Sequence, residues 1–267
     1  MARQNLTATR IKPDTAELLT LRVLRRERIS PHFSRVTLGQ DDVQAFTPMG
    51  FDQWFRLFIP VAENSLSRLP RTLNALSYAK YLTIAKTSRP VLRNYTVRAY
   101  RPLGPDGPEL DVDFVLHGEG PAGTWAQKCA RGDAVAVLDE GIGFNPAPGK
   151  NHFLLVADES GLPAIAGVLK SLPHAATGHA LIELPGDEDR QDLEAPPGVE
   201  VTWLPRARGT APGHTALAAA QALRTPEEPT HAWVVGESGL AVNLRRHWVR
   251  AGIPKNDIMF CGYWKAR

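Results

Sequence analysis

A chain of 267 residues has room for two ordinary domains, and its 43% hydrophobic and 22% charged residues exclude a disordered tail, a fibre and a membrane transporter. A formal charge of +3, from 31 basic against 28 acidic side chains, is too mild for a nucleic-acid binder, which concentrates basic stripes. Two cysteines, Cys129 and Cys261, in unrelated contexts make neither a disulfide framework nor a zinc motif, so reduced thiols are expected. The chain opens without an apolar signal core, and no run approaches the ~18 apolar residues that span a bilayer. A cytoplasmic protein without integral membrane association is expected.

Short β-rich segments come first, at 18–24, 34–38, 54–59, 95–99, 111–116 and 134–138. One helix is predicted over 121–131, with Pro121 at its start and Gly132 just past its end. Six strands with irregular spacing predict a closed antiparallel barrel over residues 1–148, because closure removes exposed edges. Residues 63–90 form an insertion of weak helical character that the pattern does not place. After Asn145-Pro146-Ala147-Pro148-Gly149 the rhythm changes. Strands are predicted at 153–157, 180–184, 199–204, 232–235 and 258–263, and helices at 162–172, 215–223 and 240–250. Strands alternating with helices predict a doubly wound parallel sheet over 149–267.

Five segments carry chemistry. In Arg93-Asn94-Tyr95-Thr96-Val97-Arg98 a strand sets Arg93, Tyr95 and Val97 on one side and Thr96 on the other. An arginine fork suits a pyrophosphate and a tyrosine ring suits a planar cofactor, although an amphipathic strand with surface arginines gives the same pattern. His117-Gly118-Glu119-Gly120-Pro121-Ala122-Gly123-Thr124-Trp125 joins a strand to a helix through three glycines, the form of an anion site at a helix start. Asp158-Glu159-Ser160-Gly161-Leu162-Pro163 and Gly236-Glu237-Ser238-Gly239 follow predicted parallel strands, where ligands of open sheets bind. Nothing near Asp158 and Glu159 supplies a nucleophile or a metal, so a nicotinamide dinucleotide loop is the better reading than an acid–base pair. Last comes Cys261-Gly262-Tyr263-Trp264-Lys265, an aromatic pair straight after the final strand.

Taken in order, RNYTVR, DVDFVLHGEGPAGTWA, GDAVAVL, ADESGLPAI, WVVGESGLAVNLRRH and CGYWK resemble the siderophore-interacting protein family of flavin reductases. The likeness extends to VLRRERISPHFSRVTLG and DQWFRLFIP, and so covers nearly the whole chain. It implies an FAD-binding barrel, a nicotinamide-binding α/β domain, and electron transfer from NAD(P)H through FAD to ferric iron in a siderophore. It places Arg93 on the FAD pyrophosphate, Tyr95 and Thr96 at the isoalloxazine and His117 beside the flavin, with Val97 among the cofactor-binding residues. Gly120, Ala122, Gly123 and Thr124 take the phosphate side, with Trp125 toward the adenine; Gly123 stands where the family often has serine. Asp158, Glu159, Ser160, Pro163, Gly236, Glu237 and Ser238 frame the nicotinamide dinucleotide, and Trp264 closes the site.

Arg206 and Arg208 can meet a 2′-phosphate and favour NADPH, whereas Glu183 can bond a ribose hydroxyl and favour NADH; the expectation leans to NADPH. Lys265, Lys255 and Arg267 are the candidates for docking an anionic ferric siderophore, and no protein ligand to a metal is expected. A monomer that binds no nucleic acid is expected. A general flavin or electron-transfer reductase serving a separate partner, and a siderophore-binding module without turnover, are the alternatives.

Overall fold

The computed structural model describes residues 10–14, 17–72, 75–118, 120–224 and 226–266, leaving aside the side chains of 75–77. The chain divides into two compact units. One comprises residues 12–49 and 53–141; the other runs onward from Ile142 and takes in Ile11 and Gly50–Asp52. The turn-rich stretch 145–149 lies inside the second unit, a few residues past the division at 141/142.

The first unit is built from β1 (Leu18–Ser30), β2 (Phe33–Gly39), β3 (Trp54–Ile59), β4 (Val91–Thr96), β5 (Ala99–Gly104), β6 (Gly107–Val115) and β7 (Ala134–Gly141). They form one seven-stranded antiparallel sheet in the order β4-β3-β7-β1-β2-β6-β5. Its two edge strands are consecutive in the chain, joined only by Val97 and Arg98. The Val97 amide donates to the Gln53 carbonyl beside β3 at 2.8 Å, and the Arg98 amide to the Asp111 carbonyl in β6 at 2.9 Å. The sheet therefore curls until its edges meet, as a barrel does. The strand expected over 95–99 is in fact the junction of two strands. Pro102 in β5 hid the second from pattern reading, and the edge is where a sheet tolerates proline.

Period-two alternation fills the barrel. Leu21, Val23, Val36, Leu38, Phe55, Leu57, Leu110, Val112, Phe114, Val135 and Val137 make one buried cluster. The opposite side chains of β6 are Glu109, Asp111 and Asp113, held under Arg25, Arg35, Arg98 and Arg101. The insertion contributes helix α1 (Ala75–Thr83), whose Tyr81 covers Phe58, Ala136 and Leu138 on the outer wall of β3 and β7. Helix α2 (Pro121–Lys128) packs on β1, β2, β4 and β6.

The second unit is a five-stranded parallel sheet of β8 (His152–Ala157), β9 (Thr177–Leu184), β10 (Gly198–Pro205), β11 (Thr230–Glu237) and β12 (Ile258–Trp264). Its helices are α3 (Leu162–Ser171), α4 (His214–Ala222) and α5 (Ser238–Arg250). β8 is apolar and buried along its whole length, as a strand covered on both faces must be. In the order β10-β9-β8-β11-β12 the chain winds one way from β8 and the other way from β11. The carboxyl ends of β8 and β11 thus form the switch point where such sheets bind ligands. Among the described residues no helix is long and apolar enough to cross a membrane.

Candidate functional site

In the barrel unit β4 is an edge strand, so Arg93 stands exposed, its Nη1 donating to the Leu92 carbonyl at 2.7 Å. No carboxylate among the described residues pairs with it. Tyr95 lies with its ring 4.3 Å from Phe114, which is 5.6 Å from Trp125, so three rings link β4, β6 and α2. Burial pushes the Tyr95 hydroxyl well above its ordinary range, so it stays protonated. Thr96 is buried and faces away from Tyr95, so it offers the Tyr95 side backbone only. The amide of Val97 is already given to Gln53.

Past β6 the exposed His117 leads to Gly118, whose φ of +62° is backbone that L side chains rarely adopt; Glu119 lies outside the described residues. Gly120 is the N-cap of α2 and brings no side-chain acceptor, and Pro121 follows it. The first-turn amides through Gly123 have no helical acceptor; the ladder begins with Thr124 donating to Gly120 at 2.9 Å. A Cβ placed at Gly118 or Gly120 would meet nothing within 4 Å, and one at Gly123 nothing nearer than 3.7 Å. An open helix start, a guanidinium with no carboxylate partner among the described residues and a fixed ring on one strand–helix pair are the set of groups that a flavin dinucleotide needs, and these residues fit it.

In the α/β unit, Asp158 follows β8 and is fully buried. It accepts from the Ser160 amide at 2.9 Å and hydroxyl at 2.5 Å, the Glu237 amide at 2.6 Å and Trp264 Nε1 at 2.9 Å. One carboxylate so ties the carboxyl ends of β8, β11 and β12. Burial, with Glu159 alongside, raises its pKa against the pull of those donors. At Gly236 (φ +128°) a Cβ would fall 2.5 Å from the Asp158 carboxyl carbon, which restricts the position to glycine. Glu237 caps α5 by accepting from the Gly239 and Leu240 amides, and the Ser238 hydroxyl donates to the Trp264 carbonyl at 2.6 Å. Pro163 is buried in the first turn of α3. Asp158, Ser160, Gly236, Glu237, Ser238 and Trp264 are therefore brought together.

Glu159 turns to the other half of the sheet. Arg206 donates to both of its oxygens at 2.9 Å and to Glu183 Oε1 at 2.7 Å. Glu183, with no exposed surface, also accepts from the Gly213 and Ala216 amides at 2.8 Å, capping α4. The expected roles of Arg206 on a 2′-phosphate and of Glu183 on a ribose hydroxyl are corrected here: a buried carboxylate demands partners, and these two lock each other. Arg208 stands exposed beyond them. Lys255 is a second correction. It precedes β12, ~20 Å along the strand from Trp264, and so does not share a site with the exposed Lys265. Arg267 lies outside the described residues.

Sequence reading missed Asp52, which accepts from the Gly143 and Phe144 amides at 2.9 and 2.8 Å. Its neighbour Phe51 (φ +49°) donates its amide to Ser171 Oγ at 2.8 Å and stacks on Phe144. The turn at Met49-Gly50 is legible in the sequence; its destination in the α/β unit is not. Also missed were Tyr78, Lys86 and Arg89 of the insertion, although a signal was present. From Asn64 to Pro105 the chain has no acidic residue and eight Lys and Arg.

Comparison with known proteins gives the same division. Residues 22–142 match the profile of the siderophore-interacting FAD-binding domain, and residues 150–267 that of the siderophore-interacting protein. A protein of Mycobacterium tuberculosis is 38% identical over 186 residues, which is 69% of this chain and 64% of that protein's length. The ferric vibriobactin reductase ViuB of Vibrio cholerae is 32% identical over 251 residues, covering 91% of this chain and 87% of ViuB. The crystal structure of a siderophore utilization protein from T. fusca superposes with a TM-score of 0.76 at 30% identity, covering 96% of each chain. The paired FAD-domain and α/β-domain matches, carried over nearly the full length by relatives of this kind, make the chain a member of the siderophore-interacting protein family.

Proposed function

We propose that this protein is a cytoplasmic, monomeric ferric-siderophore reductase that draws electrons from NAD(P)H and releases ferrous iron. The observation that carries the reading is the start of α2, which has no side-chain cap, on the same unit as Arg93 of β4, which pairs with no carboxylate among the described residues. Arg93 takes the pyrophosphate with its fork, and the free amides of Ala122 and Gly123, with the Thr124 hydroxyl beside them, add the helix dipole from the other side. Tyr95, steadied by Phe114 and through it Trp125, presents a neutral ring to the flavin. When bound, FAD supplies what no side chain can, the conversion of a two-electron donor into one-electron deliveries. The platform that Asp158 and Glu237 tie together from within receives the nicotinamide dinucleotide at the switch point, against Ser160, Ser238 and Trp264, and Arg208 meets the 2′-phosphate of NADPH. Lys265, exposed directly after Trp264, attracts the anionic ferric chelate. Reduction frees the iron because hard-oxygen chelators hold ferric ion far better than ferrous.

Purified protein should be yellow and, with NADPH under anaerobic conditions, should yield ferrous iron from a ferric siderophore, read with a ferrous-specific dye. Colourless protein that also refuses added FAD would overturn the reading. Turnover of free flavin and ferricyanide that outruns every ferric chelate would make it a general reductase instead.

A further inference from the structure

The insertion lies as a layer on the outer wall of the barrel. Its inward side chains are Leu66, Leu69, Tyr81 and Ile84, packed on Phe58, Ala136 and Leu138, and the Tyr81 hydroxyl donates to the Pro90 carbonyl at 2.8 Å. Its other face is of a different kind. Arg68, Arg71, Lys80 and Lys86 are exposed and Arg89 is half-buried, and none of them has a carboxylate partner among the described residues. Arg68 and Arg89 donate only to neutral acceptors there, the Ser88 hydroxyl and the Leu82 carbonyl. The chain carries no acid from Asn64 to Pro105, so nothing nearby in sequence neutralises these cations. In a protein of net charge only +3, they concentrate positive charge on one layer.

Two large apolar side chains stand among those charges. Tyr78 keeps 40% of its surface exposed and Leu82 keeps 49%. Four residues apart on α1, they share one side of the helix, and both line one groove with Lys86 and Arg89. Aromatic and aliphatic groups projecting through a surround of Lys and Arg are the form of an interfacial helix, which sinks its apolar side about 5–10 Å into a bilayer while its cations meet lipid phosphates. Four to eight such cations recognise anionic lipid, each adding about fivefold to binding. A protein partner needs roughly 800 Å² from each side. A helix of nine residues, about 14 Å long, with single apolar side chains set among like charges offers less, whereas a fluid surface accepts cations at whatever spacing they have. We propose that the outer face of the insertion is a peripheral docking surface for an anionic lipid bilayer, with Leu82 and Tyr78 entering the interface and Lys80, Lys86 and the neighbouring arginines meeting its phosphates. The inference is independent of the reductase reading, which gives this face no task.

The test is flotation of the full-length protein with vesicles of phosphatidylcholine, alone or with about one-third phosphatidylglycerol. The wild type should float with the anionic vesicles at low salt, stay behind with the neutral ones, and be released at about 1 M salt, where charges act over only about 3 Å. Lys80→Glu with Lys86→Glu should lower partitioning at least about twentyfold, and Leu82→Ala about tenfold. Arg246→Glu with Arg250→Glu makes the same change in net charge at exposed positions of α5 and should bind as the wild type does. All five side chains are exposed, so near-UV circular dichroism should match the wild type in every variant. Equal losses in the two double variants would mean that binding follows net charge and not this face. That result, equal binding to neutral vesicles, or no binding to either would overturn the proposal. So would capture by poly-glutamate that outruns the vesicles and ignores Leu82→Ala, which would give the face to an acidic protein. Colourless protein that still floats would sink the flavin reading and leave this one standing.

Discussion

At a strand end, a charged side chain is a ligand contact only if its own fold leaves it free. Arg206 and Glu183 sit at the carboxyl ends of β10 and β9, where the fold type places residues that read a ribose. Here the Glu183 carboxylate has no exposure and closes α4, and Arg206 is shared between it and Glu159. Removing the cation strands two buried carboxylates. Arg206→Met should therefore lower unfolding stability by about 3 kcal/mol, read from urea midpoints at pH 7. Arg208→Ala should keep wild-type stability and raise KM for NADPH about tenfold while leaving that for NADH unchanged, the mark of a single charge-assisted contact to the 2′-phosphate. Destabilisation by the second substitution and not by the first would reverse the assignment.

At the scale of elements, what could be read from the sequence was whatever repeats with a period. The alternating cores of β3, β6 and β7 and the apolar run of β8 announced their strands, and Pro121, Pro163 and the glycines marked the helix starts. β5 and α1 escaped for opposite reasons. β5 is an edge strand with a proline and little buried surface, so tertiary pairing with β6, not local pattern, makes it a strand. α1 is short and owes its place to Tyr81 packing on Phe58 and Leu138. The outward carboxylates of β6 were visible as alternation, but not their partners, which come from β1, β2, β5 and the Val97–Arg98 link. Glu109 receives both Arg25 nitrogens at 2.7 Å and Arg101 at 2.8 Å. Those hydrogen bonds, Arg25 foremost, hold its carboxyl down at about 2. Glu109→Gln keeps the shape and removes the charge, leaving two facing guanidinium groups. It should cost about 2 kcal/mol, and a thermal melt matching wild type would mean that solvent screens the ladder.

Across the whole molecule, the chain enters the α/β unit at Gly50, leaves after Asp52 and returns at Ile142. Asp52 ends the first excursion against the start of the second, accepting the Gly143 and Phe144 amides. Burial outweighs those two donors and pushes its pKa up from 3.8 to about 6. A carboxyl that holds its proton more tightly folded than unfolded contributes stability in full below about pH 4. That contribution fades as pH rises and is lost once pH passes the folded value of about 6. A rise of about two units corresponds to about 3 kcal/mol lost between those limits. Asp158 is shifted in the same direction, so the slope belongs to both carboxylates. Asp52→Asn keeps an acceptor oxygen for the two amides without the charge. The variant should match the wild type near pH 4, exceed it in Tm by several degrees at pH 7.5, and flatten the decline in between. Parallel curves for the two proteins from pH 4 to 8 would show that Asp52 does not titrate in this window, and that the turn at 50–52 is held by packing of Phe51 on Phe144 instead.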